Sequence, residues 1–187
     1  MNIPKLTLKY FPLISFALLV SGAGWIAISS PDLSQFEQAQ EAATVGFNAP
    51  DFTLNTMSGG TVTLSDLRGQ AVLLNLWASW CLPCRAEMPA MQRVYERYRD
   101  QGFVVLAVNV TNQDQIGAAR AFVEEMGVTY PIALDVDGEV SRLYNLQALP
   151  SSFFIDPQGV IQEVIIGGPM AEALLAIRAE QLLRSEN

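Results

Sequence analysis

The 187-residue chain contains no histidine. That removes imidazole as a general base, as a metal ligand and as a haem ligand. Cysteine is nearly as scarce, with Cys81 and Cys84 the only two. A zinc site would lack its remaining nitrogen or sulfur ligands. Covalent haem attachment needs a His directly after the second cysteine, and position 85 is Arg. No metal and no cofactor are therefore expected. Lysine is confined to Lys5 and Lys9. Beyond them, nine arginines stand against nineteen acids, all at or after Asp32, a net of −10. So acidic a surface favours solubility and argues against nucleic acid as a partner.

Charge of either sign is missing from residues 10–31. Within them, residues 11–28 read FPLISFALLVSGAGWIAI, which just reaches the length needed to span a bilayer. Two lysines precede this run and the acidic body follows, the order the positive-inside rule gives for an exported body. The pattern predicts a signal anchor over 1–30, a single membrane-spanning helix. Trp25 would sit at its outer interface. A tether follows over 31–44, and a folded domain over 45–187 on the extracytoplasmic face. A cleaved signal peptide competes, because Ser21-Gly22-Ala23 supplies small residues for cleavage.

In the body, half-buried alternation predicts a β-hairpin from Asp51–Thr56 and Thr61–Leu64 around Ser58-Gly59-Gly60. Two continuous apolar runs, Ala71–Trp77 and Phe103–Val110, read as strands buried on both faces. Helices are predicted from about Cys84 to Asp100 with an interruption at Pro89, then over Asp114–Met126, Glu139–Tyr144 and Met170–Leu183. Short strands fall at Ile132–Leu134, Ser152–Asp156 and Val160–Ile166. Strand–helix alternation implies an α/β fold with a mostly parallel sheet and an antiparallel edge.

The cysteines stand as Cys81-Leu82-Pro83-Cys84 where a strand gives way to a helix. A helix N-terminus offers unpaired N–H groups and partial positive charge, and both favour a thiolate. Pro83 suits the first turn, where its missing N–H costs nothing. Cys81, expected to be exposed, would attack a substrate disulfide; Cys84, beneath it, would resolve the mixed disulfide. A purely structural bridge closing so small a loop would stabilise little.

The run Asn75-Leu76-Trp77-Ala78-Ser79-Trp80-Cys81-Leu82-Pro83-Cys84-Arg85-Ala86-Glu87-Met88-Pro89 resembles the active-site segment of the thioredoxin superfamily. More closely it is similar to the membrane-anchored TlpA/ResA-like thiol–disulfide oxidoreductases. Asp51-Phe52-Thr53-Leu54, Gly127-Val128-Thr129-Tyr130-Pro131 and Leu149-Pro150-Ser151-Ser152-Phe153-Phe154-Ile155-Asp156 extend the likeness over residues 45–183. The resemblance implies a thioredoxin-like three-layer sandwich with an N-terminal β-hairpin and a helix–strand insertion between Asp114 and Leu134. It implies that Pro150 is a cis-proline opposite the cysteines and that the Leu149 backbone pairs with extended substrate. It makes Glu87 an active-site acid that exchanges protons with Cys84, and Trp80 a surface aromatic that shapes partner contacts. Asn75 departs from thioredoxin, whose buried aspartate on that strand serves as base.

By the same resemblance the expected activity is reduction of disulfides in exported proteins such as apocytochrome c. Electrons would come from an integral membrane carrier of the CcdA/DsbD type. Leu82-Pro83 does not fix the direction, so a disulfide-forming oxidant stays open. A thiol peroxidase would want Thr or Ser three residues before the nucleophile and Pro seven before it, where Ala78 and Leu74 stand. Copper delivery would want a wider cysteine spacing and a His.

Overall fold

A computed structural model describes residues 41–184. The anchor predicted over 1–30 and the tether up to residue 40 lie outside the described residues. Among the described residues no helix is long and apolar enough to cross a membrane. Ala42 donates its N–H to the Asn48 carbonyl at 3.0 Å, so the last tether residues hydrogen-bond to the domain's first turn.

The hairpin strands β1 (Thr53–Asn55) and β2 (Thr61–Thr63) pair antiparallel as a small separate sheet. The main sheet has five strands: β3 (Ala71–Trp77), β4 (Phe103–Asn109), β5 (Ile132–Leu134), β6 (Ser151–Ile155) and β7 (Ile161–Ile166). Their spatial order is β5-β4-β3-β6-β7. β3, β4 and β5 run parallel, whereas β6 is antiparallel to both β3 and β7. The sheet is therefore evenly mixed rather than mostly parallel, because the last hairpin enters beside central β3 instead of adding only an edge.

The helices are α1 (Leu82–Tyr98), α2 (Ile116–Met126), α3 (Glu139–Leu143) and α4 (Glu172–Arg184). α1 runs unbroken through Pro89, where the sequence predicted an interruption. The proline withholds one N–H from the Arg85 carbonyl a turn back, and the buried apolar face keeps the helix together on both sides. α2 ends at Gly127, whose φ of 62° is left-handed and suits a residue without Cβ.

Two apolar layers sandwich the sheet. One unites α1, α2 and α4 with the side chains of Leu73, Trp77, Val105 and Ala107. The other packs the hairpin region and α3 against Val72, Leu74, Leu76, Leu106 and Val108. Alternate residues of β3 thus serve opposite layers, as strand geometry requires.

Candidate active site

β3 leaves the sheet at Trp77, and a short turn over Ala78–Trp80 delivers the chain to α1. Cys81 is the N-cap of that helix, which starts at Leu82, two residues earlier than the sequence placed it. Its sulfur accepts the Cys84 N–H at 3.2 Å. The helix amides therefore point at the atom that must carry negative charge once the pair is reduced. Cys81 and Cys84 are joined by a disulfide, with Cα atoms 5.3 Å apart.

Cys81 is only 4 % exposed, against the expectation of an open nucleophile, and Cys84 is fully buried. Its neighbours take the surface instead: Trp80 is 58 % and Leu82 76 % exposed. The tight turn swings both side chains outward and draws the sulfur between them toward the core. Pro83, in the first turn, is half-buried. Trp80 is not free on the surface, because its indole N–H donates to the Gln113 carbonyl at 2.9 Å.

One turn beyond Cys84, Glu87 is completely buried. Asn75 Nδ2 donates to Glu87 Oε1 at 3.0 Å, and the Met170 N–H donates to Oε2 at 3.1 Å. Burial pushes the Glu87 carboxyl above its ordinary value, and the Met170 and Asn75 donors only partly oppose it. Asn75 Nδ2 also donates to Ser152 Oγ at 2.9 Å, across the β3–β6 pair where these two residues stand opposite each other. Asn75 Oδ1 is buried without a partner among the described residues. That spare acceptor has a chemical use. Charged Glu87 needs a donor, which Asn75 presents; protonated Glu87 is itself a donor, and the same amide, turned over, presents Oδ1. An aspartate at position 75 could not serve the charged form.

Tyr130 also bears on this carboxylate. Burial, and then the Glu87 charge, push its hydroxyl well above the usual tyrosine value. The Leu149–Pro150 bond is cis. Register pairs Leu76 with Ser151, so Pro150 lies beside the end of β3 that carries the cysteine turn. Leu149 is half-buried and touches both apolar layers. Gly168 closes the site from the β7–α4 connection, where a second cis bond, Gly168–Pro169, also occurs. A Cβ on Gly168 would lie 2.8 Å from both Glu87 Oε2 and Pro150 Cγ, too close for any side chain. Among the described residues no three His, Cys, Asp or Glu side chains converge as metal ligands would.

The structure thus brings Cys81, Cys84, Glu87 and Asn75 together on one face of β3, with Pro150 at its edge. Sequence reasoning missed Ser152, Gly168 and the Met170 amide. A lone amide in an apolar strand signals that Asn75 needs partners, but nothing in the sequence names Ser152 as one of them, or the backbone N–H of Met170 as a partner of Glu87.

Comparison with known proteins agrees with this fold. The AhpC/TSA family profile matches residues 45–164. The chain is 40 % identical over 141 residues to the thiol-disulfide oxidoreductase ResA of Geobacillus kaustophilus, covering 75 % of this chain and 80 % of that protein. It is 38 % identical over 136 residues to ResA of Bacillus subtilis, covering 73 % and 74 %. A crystal structure of a thioredoxin-family thiol:disulfide interchange protein from Chlorobium tepidum superposes with a TM-score of 0.67 at 28 % identity, covering 77 % of this chain and 99 % of that one. The chain belongs to the AhpC/TSA family, with a thioredoxin-like fold, and is a thiol–disulfide oxidoreductase.

Proposed function

We propose that the protein works outside the cytoplasm, held to the membrane by its N-terminal segment, and reduces disulfides in exported proteins such as apocytochrome c. The observation that carries this reading is the Cys81–Cys84 pair at the N-terminus of α1 with Glu87 buried one turn on. The uncharged stretch over 10–31, with lysines before it and acids after it, supports export and anchoring. The names of the relatives support the chemistry.

In the reducing direction the Cys81 thiolate attacks one sulfur of the substrate disulfide, and the other substrate sulfur leaves as a thiolate. Cys84 then gives its proton to the Glu87 carboxylate and attacks Cys81, which releases the second substrate sulfur. Two electrons pass to the substrate and the protein ends as the disulfide. Reloading runs the same steps backwards. A donor thiolate attacks Cys81, Cys84 departs as thiolate, and Glu87 returns the proton. An integral membrane carrier of the CcdA/DsbD type would supply those electrons, because an oxidising compartment does not. Trp80, Leu82, Pro83 and the Leu149–Pro150 backbone would meet the substrate.

The full chain in detergent should accelerate reduction of insulin by dithiothreitol, and Cys81→Ala should abolish the acceleration. No acceleration by the wild-type chain refutes the catalytic reading. The potential of the Cys81–Cys84 couple tests the direction; a strongly oxidising value sinks the reductant and favours the disulfide-forming alternative.

A further inference from the structure

The turn that carries Cys81 is held from one side by the segment leading into α2. Asp114 Oδ2 accepts the Ser79 N–H at 2.7 Å and Asp114 Oδ1 accepts the Ser79 hydroxyl at 2.6 Å. The same carboxylate accepts Asn109 Nδ2 at 2.8 Å and the Gln115 N–H at 2.8 Å. Asn109 is fully buried at the end of β4, and Thr111 Oγ1 donates to its Oδ1 at 2.9 Å. Next to Asp114, the Gln113 carbonyl holds the Trp80 indole. The two residues immediately before Cys81 are thus tied to two adjacent residues, through an anchor that reaches back into the sheet. Outside this clamp lies an open groove of about 550 Å³ lined by Ser79, Trp80, Gln113 and Asp114, among others.

Four donors on one half-buried carboxylate is more than ordinary loop capping requires. Burial pushes the Asp114 carboxyl up, but the hydrogen bonds from Ser79, Asn109 and Gln115 outweigh it and hold the group below its usual value. The other charged groups around the turn are Arg85, paired with Glu125 at 2.6 Å on the outer face, and buried Glu87.

We propose that Asp114 is a positioning residue for Cys81: by fixing Ser79 it holds the Cys81 sulfur in line with the amides of the α1 N-terminus, and so sets the reactivity of the thiolate. This rests on the oxidoreductase reading, with Cys81 as the attacking sulfur. Two opposite effects can be separated. As a bare negative charge near the turn, Asp114 would raise the Cys81 pKa, and removing it would make the thiolate easier to form. As a clamp, Asp114 lowers that pKa by alignment, and removing it makes the thiolate harder to form.

The experiment measures alkylation of the reduced full chain by iodoacetamide across pH, with mass spectrometry locating the label on Cys81. It needs no protein substrate. A chain that fails to reduce insulin therefore overturns the oxidoreductase reading without touching this result. The clamp predicts that Asp114→Ala raises the apparent Cys81 pKa. Alkylation near neutral pH should slow about tenfold, and the difference should vanish at alkaline pH. Asp114→Asn, which keeps an acceptor oxygen but loses the charge, should fall between wild type and Asp114→Ala. Ser79→Ala, which removes only the 2.6 Å hydroxyl bond, should shift the pKa in the same direction by less. An unchanged or lowered Cys81 pKa in Asp114→Asn overturns the proposal, as does an equal loss at every pH. Should Asp114→Ala fail to fold, Asp114→Asn and Ser79→Ala still decide it.

Discussion

The two faces of β3 are built on opposite terms. Val72, Leu74 and Leu76 look into an apolar layer beneath the hairpin and α3. Ala71, Leu73, Asn75 and Trp77 look toward α1, and there the pattern breaks at one amide that reaches a buried carboxylate. The first face does nothing but hold the sheet. The second accepts the cost of burying a carboxyl group, a cost that hydrogen bonds reduce without cancelling. The difference teaches where to look for chemistry in such a fold: at the polar residue the packing did not need.

The largest expected effect is on the apolar face. Leu74 is fully buried, and Leu74→Ala should lower stability by about 2–5 kcal/mol through lost contacts and a residual cavity. Urea unfolding of the oxidised protein measures it. The redox potential of the cysteine couple should not move; a shift of both together would show that the faces are not independent.

Glu87→Gln probes the other face and should do the reverse, sparing the fold and harming the chemistry. The glutamine Oε1 can accept the Met170 N–H while its Nε2 donates to Asn75 Oδ1 once that amide turns. Turnover should fall by about 100-fold with the loss of the proton carrier. Stability follows linkage. The Glu87 pKa is raised in the folded state above its ordinary 4.5, so its contribution is fully present below that pH. It is lost as pH rises through the folded value, because the unfolded state ionises first. Thermal unfolding across this range should show wild type losing ground to Glu87→Gln as pH rises. Parallel curves would contradict the buried, proton-holding carboxyl.

Tyr144→Phe sharpens the contrast at small scale. The Tyr144 hydroxyl donates to the Pro50 carbonyl at 2.7 Å on the apolar face, and its ring meets Phe153 edge-on at 4.9 Å. Removing the hydroxyl alone should cost about 1 kcal/mol by chemical denaturation, with insulin reduction unchanged.

Most of the fold was legible because periodicity carries it. The apolar run Ala71–Trp77 predicts a doubly buried strand, and all seven residues are buried. The closeness of Cys81 and Cys84 was legible through their spacing, and the cis bond before Pro150 through the resemblance. The mixed sheet was not, since strand direction depends on the path of a connection and leaves no mark on composition. The burial of Cys81 escaped for a similar reason: the turn geometry, not the residue type, turns Trp80 and Leu82 outward. Ser152, Asp114 and the Met170 amide act through contacts between distant segments, which one sequence does not display.

A short span of backbone, residues 167–170, separates the Glu87 carboxylate from water, and Gly168 and Pro169 within it are themselves exposed. When that span breathes outward, the carboxyl loses the Met170 donor and its shelter in the same motion, and its acidity moves back toward that of a glutamate in water. Were Glu87 the proton carrier proposed above, backbone opening rather than the acid itself would set the rate at which its proton reaches solvent. Hydrogen exchange at the Met170 amide and proton exchange at Glu87 should then follow one clock.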